Sequence, residues 1–245
     1  MKSNGPKLVP FFKTVAIYFI LFGTDSKLNS VFYCLMKCLP IFSLMFFVLL
    51  HGMNFTEAYS YSRKILIGLL FSVIGDAFLV WKQNYFIHGL LSFAVAQIFY
   101  SWAFGIRPVK PLSGLIMSFI STSVYLYLLP DLKGEMVYLA LLYVSLISFM
   151  AWRAVARFQK YDDWPWTSLS GVLGALFFVV SDTVIAVDKF SYPVPYSHQV
   201  IMTTYYAAQM LIALSVVDSQ AEYAMDISKR TVTGLRRRKI SGKTQ

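Results

Sequence analysis

Eight long apolar runs, separated by short polar connections, dominate the hydropathy pattern of the chain. A bilayer core of about 30 Å takes roughly 20 helical residues, so runs of this length predict transmembrane helices. The runs lie near residues 9–23, 30–50, 65–81, 85–105, 111–129, 135–152, 167–187 and 199–217. Because the connections are too short for a soluble domain, the pattern predicts an all-α transmembrane bundle of about eight spans, one domain over residues 1–245.

The composition agrees with a protein embedded in lipid and excludes a water-soluble globule. Hydrophobic residues make up 57% of the chain and charged residues only 14%, whereas soluble domains carry about 25% charged residues. The net charge of +10 does not require a nucleic-acid partner. Lys and Arg accumulate in the cytosolic loops of membrane proteins, which is the simpler explanation.

The distribution of Lys and Arg predicts the orientation of the chain. With a cytosolic N-terminus, the inner segments hold 16 Lys and Arg residues and the outer loops hold four. Seven of the 16 belong to the tail 218–245, which is predicted to be a flexible, basic cytosolic segment. Both termini of this multi-pass protein are therefore expected in the cytosol.

Two aspartates and one lysine lie well inside the predicted spans. Asp76 and Asp182 each precede the outer end of an outward-running span by five residues, and Lys37 follows the outer start of an inward-running span by seven. At 1.5 Å per residue, all three share a layer about 8–10 Å below the outer boundary. A charged side chain at this depth needs either a side chain that compensates its charge or a functional role. The layer therefore predicts a shared polar cavity; the alternative is a structural ion pair beside one protonated aspartate.

Further polar residues and an internal similarity accompany these three side chains. Residues 71–82 resemble residues 177–188, and the following spans carry Ala-Gln pairs that end at Gln97 and Gln209, which indicates a four-plus-four helix pseudo-repeat. The side chains expected to bind substrate or to support the site are Lys37, His88, Ser92, Gln97, Tyr205 and Gln209.

Cysteine content gives no sign of a metal site. Cys34 and Cys38 are the two cysteines of the chain, and two thiols alone are too few for a structural metal centre. Neither a metal nor a cofactor is expected.

Five short motifs, in this order along the chain, resemble those of the YhhN family of membrane proteins. They are residues 37–40, 71–79, 88–100, 181–186 and 205–209, within a similarity that covers about residues 7–218. The resemblance to the vertebrate lysoplasmalogenase members implies an eight-span enzyme, often of the endoplasmic reticulum. Such an enzyme hydrolyses the vinyl ether bond of lysoplasmalogens to a fatty aldehyde and glycerophosphoethanolamine or glycerophosphocholine. The family usually carries His where this chain has Gln97. Because an amide does not transfer protons as an imidazole does, Gln97 is expected only to position other groups.

The two aspartates suit the chemistry that the resemblance implies. Vinyl ether hydrolysis needs an acid to protonate carbon and a base to activate water, and paired carboxyls divide these roles in glycoside hydrolysis. Asp76 and Asp182 are the candidate catalytic pair, with no choice between them as the acid. Lys37 would hold one of them ionised, and Lys37 or Tyr205 would meet headgroup oxygens. The expected partners are a lysophospholipid substrate and membrane lipids, and a homodimer is compatible with the sequence.

The sequence is also compatible with three other functions. A membrane transporter or a lipid-binding protein would also use a buried Lys–Asp site, although transporters place such groups at the midplane on broken helices. An intramembrane aspartyl protease fits less well. Such proteases carry Tyr-Asp and Gly-x-Gly-Asp motifs around their two aspartates. In this chain Ser181 precedes Asp182, and Val73 stands in place of the first glycine before Asp76.

The predicted orientation can be tested at one glycosylation sequon. Residues 54–56 read Asn-Phe-Thr and lie in a predicted inner loop, where oligosaccharyl transfer does not occur. We therefore expect no shift of the expressed protein on glycosidase treatment, and an engineered sequon in the outer loop 188–198 should be modified. Glycosylation at Asn54 would reverse the topology.

Overall fold

The computed structural model describes residues 5–23, 30–158 and 166–217, together with Ser219 and Ala224. Within these residues the chain forms eight α-helices and no strand, which confirms the predicted all-α bundle. The helices are α1 (Gly5–Phe22), α2 (Val31–Leu50), α3 (Ser60–Val80), α4 (Lys82–Phe104), α5 (Pro111–Leu128), α6 (Met136–Arg157), α7 (Trp166–Ala186) and α8 (Ser197–Leu214). The rest of the predicted tail 218–245, and Lys2, Lys27 and Lys160 of the charge count, lie outside the described residues.

Six of the eight helices are long and apolar enough to cross a membrane, by length and composition, within the described part of the chain. The other two, α3 and α8, carry the polar and ionisable side chains that reduce their hydropathy. Large apolar residues on the outside of the bundle are exposed, including Ile20, Phe119 and Tyr138. Such a surface is suited to lipid rather than to water.

Some helices continue past the apolar runs because polar side chains at their ends find partners. Helix α3 begins at Ser60, five residues before the predicted start, and its Arg63 donates to two carbonyl groups of the preceding loop at 2.5 and 2.9 Å. Helix α6 continues to Arg157, and its Arg153 donates to two carbonyl groups of the α4–α5 connection at 2.6 and 3.1 Å. Apolar run length therefore underestimates these helices.

Contacts between connections bring the predicted inner loops together at one end of the bundle. Lys110 Nζ, before α5, donates to the carbonyl oxygen of Phe158, after α6, at 2.5 Å. Lys64 Nζ, in the first turns of α3, lies 4.7 Å from the ring centroid of Trp102, near the end of α4. These contacts fit the alternation of helix direction on which the layer of Lys37, Asp76 and Asp182 depends.

The helices pack in a pattern that repeats between the two halves. Helices α1 and α2, α2 and α3, and α3 and α4 pack together, and so do α5 and α6, α6 and α7, and α7 and α8. The halves join where α8 packs on α2 and α4 packs on α6. At both junctions the fourth helix of one half, α4 or α8, packs on the second helix of the other half, α6 or α2. This arrangement supports the predicted pseudo-repeat.

Two glycines at equivalent places allow the last two helices of each half to approach closely. A Cβ atom at Gly68 would lie 2.2 Å from the ring of Tyr100, and one at Gly174 would lie 2.9 Å from backbone atoms of Ala208 and Ile212. Small residues permit such contacts between membrane helices. Gly174 follows Gly68 by 106 residues, as Asp182 follows Asp76.

The contact at Gly174 predicts a stability effect. In Gly174→Val the side chain would meet the α8 backbone, which cannot rotate away, so overpacking should destabilise the fold by about 1–3 kcal/mol. Thermal unfolding in detergent micelles should show a lower midpoint. Gly5→Val is the matched control, because nothing lies within 4 Å of a Cβ atom at Gly5; equal midpoints for the two variants would contradict the close packing.

Candidate active site

A buried ion pair joins α2 to α3. Lys37 Nζ lies 3.2 Å from Asp76 Oδ1 and 3.4 Å from the Asp76 carbonyl oxygen. The second carboxylate oxygen, Oδ2, accepts a hydrogen bond of 2.6 Å from the hydroxyl of Tyr205 on α8. Lys37 is 6% exposed and Asp76 is 2% exposed. Both oxygens of the Asp76 carboxylate are thus engaged by protein groups, as a charge buried at membrane depth requires.

The backbone of α2 helps to fix the lysine. Pro40, inside the helix, lacks the N–H that would donate to the Met36 carbonyl oxygen, so the hydrogen-bond ladder is interrupted next to Lys37. The Lys37 carbonyl oxygen accepts a hydrogen bond of 2.9 Å from the Tyr206 hydroxyl of α8. Helix α8 therefore holds both members of the ion pair, through Tyr205 and Tyr206.

Asp182, on α7, has a different environment. Its Oδ2 accepts a hydrogen bond from the hydroxyl of Tyr143 on α6. No cation pairs with it among the described residues, where Lys37–Asp76 is the ion pair found. Asp182 is only partly buried. Its second carboxyl oxygen is therefore available to another molecule.

Asp182 lies in the wall of a partly open cavity. Helices α3 to α7 and the turn Val187–Ser191 line this space. Apart from Asp182, Tyr125 and Tyr143, the lining is apolar; it includes Leu79, Phe86, Leu90, Phe93, Met136 and Ile185. A largely apolar cavity with one carboxyl group and two hydroxyls suits an amphiphilic ligand with a hydrocarbon chain.

The two aspartates have equivalent positions in the two halves of the bundle. Lys37 and Asp76 are 39 residues apart, and so are Tyr143 and Asp182. Each residue of the second pair follows its counterpart by 106 residues. The second helix of each half thus places one side chain against the aspartate of the third helix, with lysine in the first half and tyrosine in the second.

The fourth helix of each half extends this equivalence. On α8, Tyr205 contacts Asp76, and Gln209 Oε1 accepts a hydrogen bond of 2.8 Å from Tyr100. The counterparts on α4 are Phe93 and Gln97, each 112 residues earlier. Phe93 has no hydroxyl to offer Asp182. Among the described residues, the buried Gln97 amide comes close to Tyr143 without a well-formed hydrogen bond.

The structure brings together only part of the predicted set. Lys37 and Tyr205 contact Asp76, Gln209 lies beside Tyr205, and Gln97 lies on the Asp182 side. Lys37 and Asp76 are not among the cavity-lining residues, so the cavity reaches one aspartate rather than both.

His88 and Ser92 lie elsewhere. His88 is exposed and its ring packs against Phe78 and Tyr85, while Ser92 donates to the His88 carbonyl oxygen at 2.8 Å. Neither lines the cavity. The prediction that both support the site is not matched by these contacts, because the helix turns them away from it.

Sequence reasoning missed Tyr143 and Phe93. Both occur in apolar runs where an aromatic residue carries no polar signal. The register of the repeat could have identified them, because 106 residues after Lys37 is Tyr143 and 112 residues before Tyr205 is Phe93.

Comparison with known proteins places these features in a family. The YhhN family profile matches residues 32–216. The chain is 51% identical over 222 residues to "Lysoplasmalogenase TMEM86A" of Homo sapiens, covering 90% of this chain and 92% of that protein. It is 39% identical to "Lysoplasmalogenase TMEM86B" of Sus scrofa, with 88% of both chains covered. A "Lysoplasmalogenase homolog" of Dictyostelium discoideum is 26% identical, with 65% of this chain and 64% of that protein covered. No solved structure matches the chain significantly.

The buried ion pair predicts a non-additive effect on stability. Lys37→Met would leave the Asp76 carboxyl buried without its cation, which typically costs about 3–5 kcal/mol. The double variant Lys37→Met/Asp76→Asn removes both charges and should recover most of the loss. Unfolding in detergent micelles compares wild type, Lys37→Met, Asp76→Asn and the double variant. Additive losses in the double variant would show that the two side chains do not stabilise each other.

Proposed function

The chain belongs to the YhhN family, and we propose that it is a lysoplasmalogenase. It would hydrolyse the vinyl ether bond of 1-alkenyl-glycerophosphoethanolamine or 1-alkenyl-glycerophosphocholine. The products would be a fatty aldehyde and glycerophosphoethanolamine or glycerophosphocholine. The main support is the 51% identity over 90% of the chain to a protein named lysoplasmalogenase. The apolar cavity with Asp182 in its wall gives that reaction a site.

The cavity suits a single-chain lipid. Helices α4 and α5 both line it but make few contacts with each other among the described residues, and α5 packs mainly on α6. The hydrocarbon chain can therefore pass between α4 and α5 into the bilayer while the vinyl ether stays beside Asp182. The apolar lining also limits the access of bulk water to the reacting carbon.

We assign the acid role to Asp182. Its Oδ2 is held by Tyr143, so the proton of the neutral acid lies on Oδ1, towards the cavity. Transfer of that proton to the alkenyl carbon remote from the ether oxygen uses the electron pair of the double bond. The products are an oxocarbenium ion and the Asp182 carboxylate. A proton donor within reach is the requirement of general acid catalysis.

Water then completes the reaction. A water molecule adds to the carbon attached to the ether oxygen and gives its proton to the Asp182 carboxylate, which restores the acid. The resulting hemiacetal breaks its bond to the glycerol oxygen and yields the aldehyde and the alcohol. One water is consumed, and the enzyme returns to its starting protonation state.

Asp76 completes the proposed carboxyl pair without touching the substrate. Lys37 and Tyr205 occupy both of its carboxylate oxygens, so it is poorly placed to take a proton from water. We propose that the Asp76 end of this ion pair, which is the end that acts on Asp182, favours the cationic oxocarbenium ion. Lys37 and Tyr205 then support Asp76 rather than bind the headgroup, and Gln97, beside Tyr143, is proposed to position the hydroxyl that holds Asp182.

We propose an endoplasmic reticulum membrane, in line with the family resemblance, and cytosolic termini, supported by the 16 to 4 distribution of Lys and Arg. A homodimer is compatible with the exposed apolar faces of the outer helices, and membrane lipids would fill those faces otherwise.

Purified protein should release aldehyde from a lysoplasmalogen and none from the saturated 1-alkyl analogue, because the saturated ether has no double bond to protonate. Asp182→Asn should reduce turnover by roughly 10²- to 10⁴-fold, the range of general acid catalysis. The matched control is Asp188→Asn, near the end of the same helical segment, where Oδ1 accepts from the Val194 amide at 2.9 Å and an asparagine oxygen can do the same.

The role of Asp76 needs the charge-neutral variant Lys37→Met/Asp76→Asn, since Asp76→Asn alone leaves a buried cation. We expect this double variant to keep measurable aldehyde release, slower by about tenfold. Full loss in the double variant with activity retained in Asp182→Asn would reverse the assignment. No aldehyde from the wild-type protein would refute the function itself.

A further inference from the structure

A lysine side chain lies over the outer rim of the cavity. Lys189 Nζ is 4.1 Å from the ring centroid of Phe86 and 5.7 Å from that of Phe190. The two rings pack edge to face with centroids 6.0 Å apart, and both line the cavity. The rim therefore holds an ammonium group in place by cation–π contacts, without neutralising its charge.

The surroundings of Lys189 leave this charge uncompensated. It is exposed, and the ion pair found among the described residues does not involve it. The neighbouring acid, Asp188, directs Oδ1 to the Val194 amide at 2.9 Å. A second exposed cation, Lys82 at the start of α4, lies about one helical turn before Phe86. Two of the four predicted outer lysines therefore gather at this rim.

The height of the rim above Asp182 matches a dimension of the proposed substrate. Lys189 follows Asp182 by seven residues, the last three of them in the π-helical turn Val187–Ser191, so the helix rises by at most about 10 Å between them. In a lysoplasmalogen, seven bonds separate the protonated alkenyl carbon from phosphorus, and an extended chain of seven bonds spans roughly 8–9 Å. A flexible lysine side chain can cover the difference.

We propose that Lys189, together with Lys82, binds the phosphate of the lysophospholipid while the alkenyl group meets Asp182. This proposal rests on the proposed function and assigns the headgroup to residues outside the predicted site set. The two aromatic rings hold the ammonium group above the cavity before the substrate arrives, so binding orders little of the lysine chain. The phosphate thereby fixes the depth at which the vinyl ether stops.

The test compares two substrates in mixed micelles of fixed composition: a 1-alkenyl-glycerophosphoethanolamine and the 1-alkenylglycerol with the same chain. Lys189→Met should lower kcat/KM for the phosphate-bearing substrate roughly ten- to hundredfold, the effect of one charge-assisted hydrogen bond. The same variant should leave the phosphate-free substrate within about twofold. Lys189→Arg, which keeps the charge and donors, should recover most of the loss.

Lys64→Met is the matched control, because Lys64 also lies over an aromatic ring, that of Trp102, at the other end of the bundle. It should change neither substrate. Equal losses on both substrates in Lys189→Met would show that Lys189 only shapes the rim, and no loss on either would show that it does not contact the phosphate. Both outcomes overturn the proposal.

A binding measurement separates this proposal from the proposed function. The non-hydrolysable 1-alkyl lysophospholipid and the matching 1-alkylglycerol are titrated against wild type and Lys189→Met. If Lys189→Met weakens the binding of the phosphate-bearing ligand alone, the headgroup site is supported. A wild-type protein that binds in this way but releases no aldehyde would refute only the enzyme function. Unchanged binding of both ligands refutes the headgroup site whatever the activity.

Discussion

Hydrocarbon cannot solvate an ammonium group or a carboxylate, and this constraint explains why α2, α3 and α8 meet where they do. Lys37 and Asp76 lie at a depth where either charge alone would be unstable, so each requires the other. The hydroxyls of Tyr205 and Tyr206 then satisfy the remaining carboxylate oxygen and a carbonyl group of α2. Because these two tyrosines belong to α8, the ion pair also joins the two halves of the chain.

The same fold places Asp182 where these stabilising groups are missing. Tyrosine replaces the lysine, and Phe93 replaces the tyrosine that donates from the fourth helix. What remains is a carboxyl group with one hydrogen bond, beside a largely apolar cavity. A fully paired carboxylate is a poor proton donor, whereas a carboxyl group with a free oxygen can reach a ligand. The contrast between the two sites supports an acid at Asp182 and a fixed anion at Asp76.

Sequence alone could predict the helices, which follow from hydropathy, and the common level of Lys37 and Asp76, which follows from helical rise. It could not predict which faces meet. His88 and Phe93 share a helix, but at 3.6 residues per turn they point about 140° apart, so one faces outwards and the other lines the cavity. The cavity itself depends on loose packing of α4 against α5, which no residue pattern reports. The role of Tyr143 could not be predicted, because a tyrosine in an apolar run gives no sign of a hydrogen bond until its partner, Asp182, is placed beside it.

The repeated packing of the two halves has a genetic consequence. If two four-helix chains assembled as a symmetric dimer, every substitution would appear at both sites, so a lysine suited to one aspartate would also neutralise the other. Joining the halves in one chain lets Lys37 and Tyr143 differ. An even number of helices in each half also keeps both aspartates on the same side of the bilayer. One site can then keep its lysine–aspartate pair while its twin changes independently.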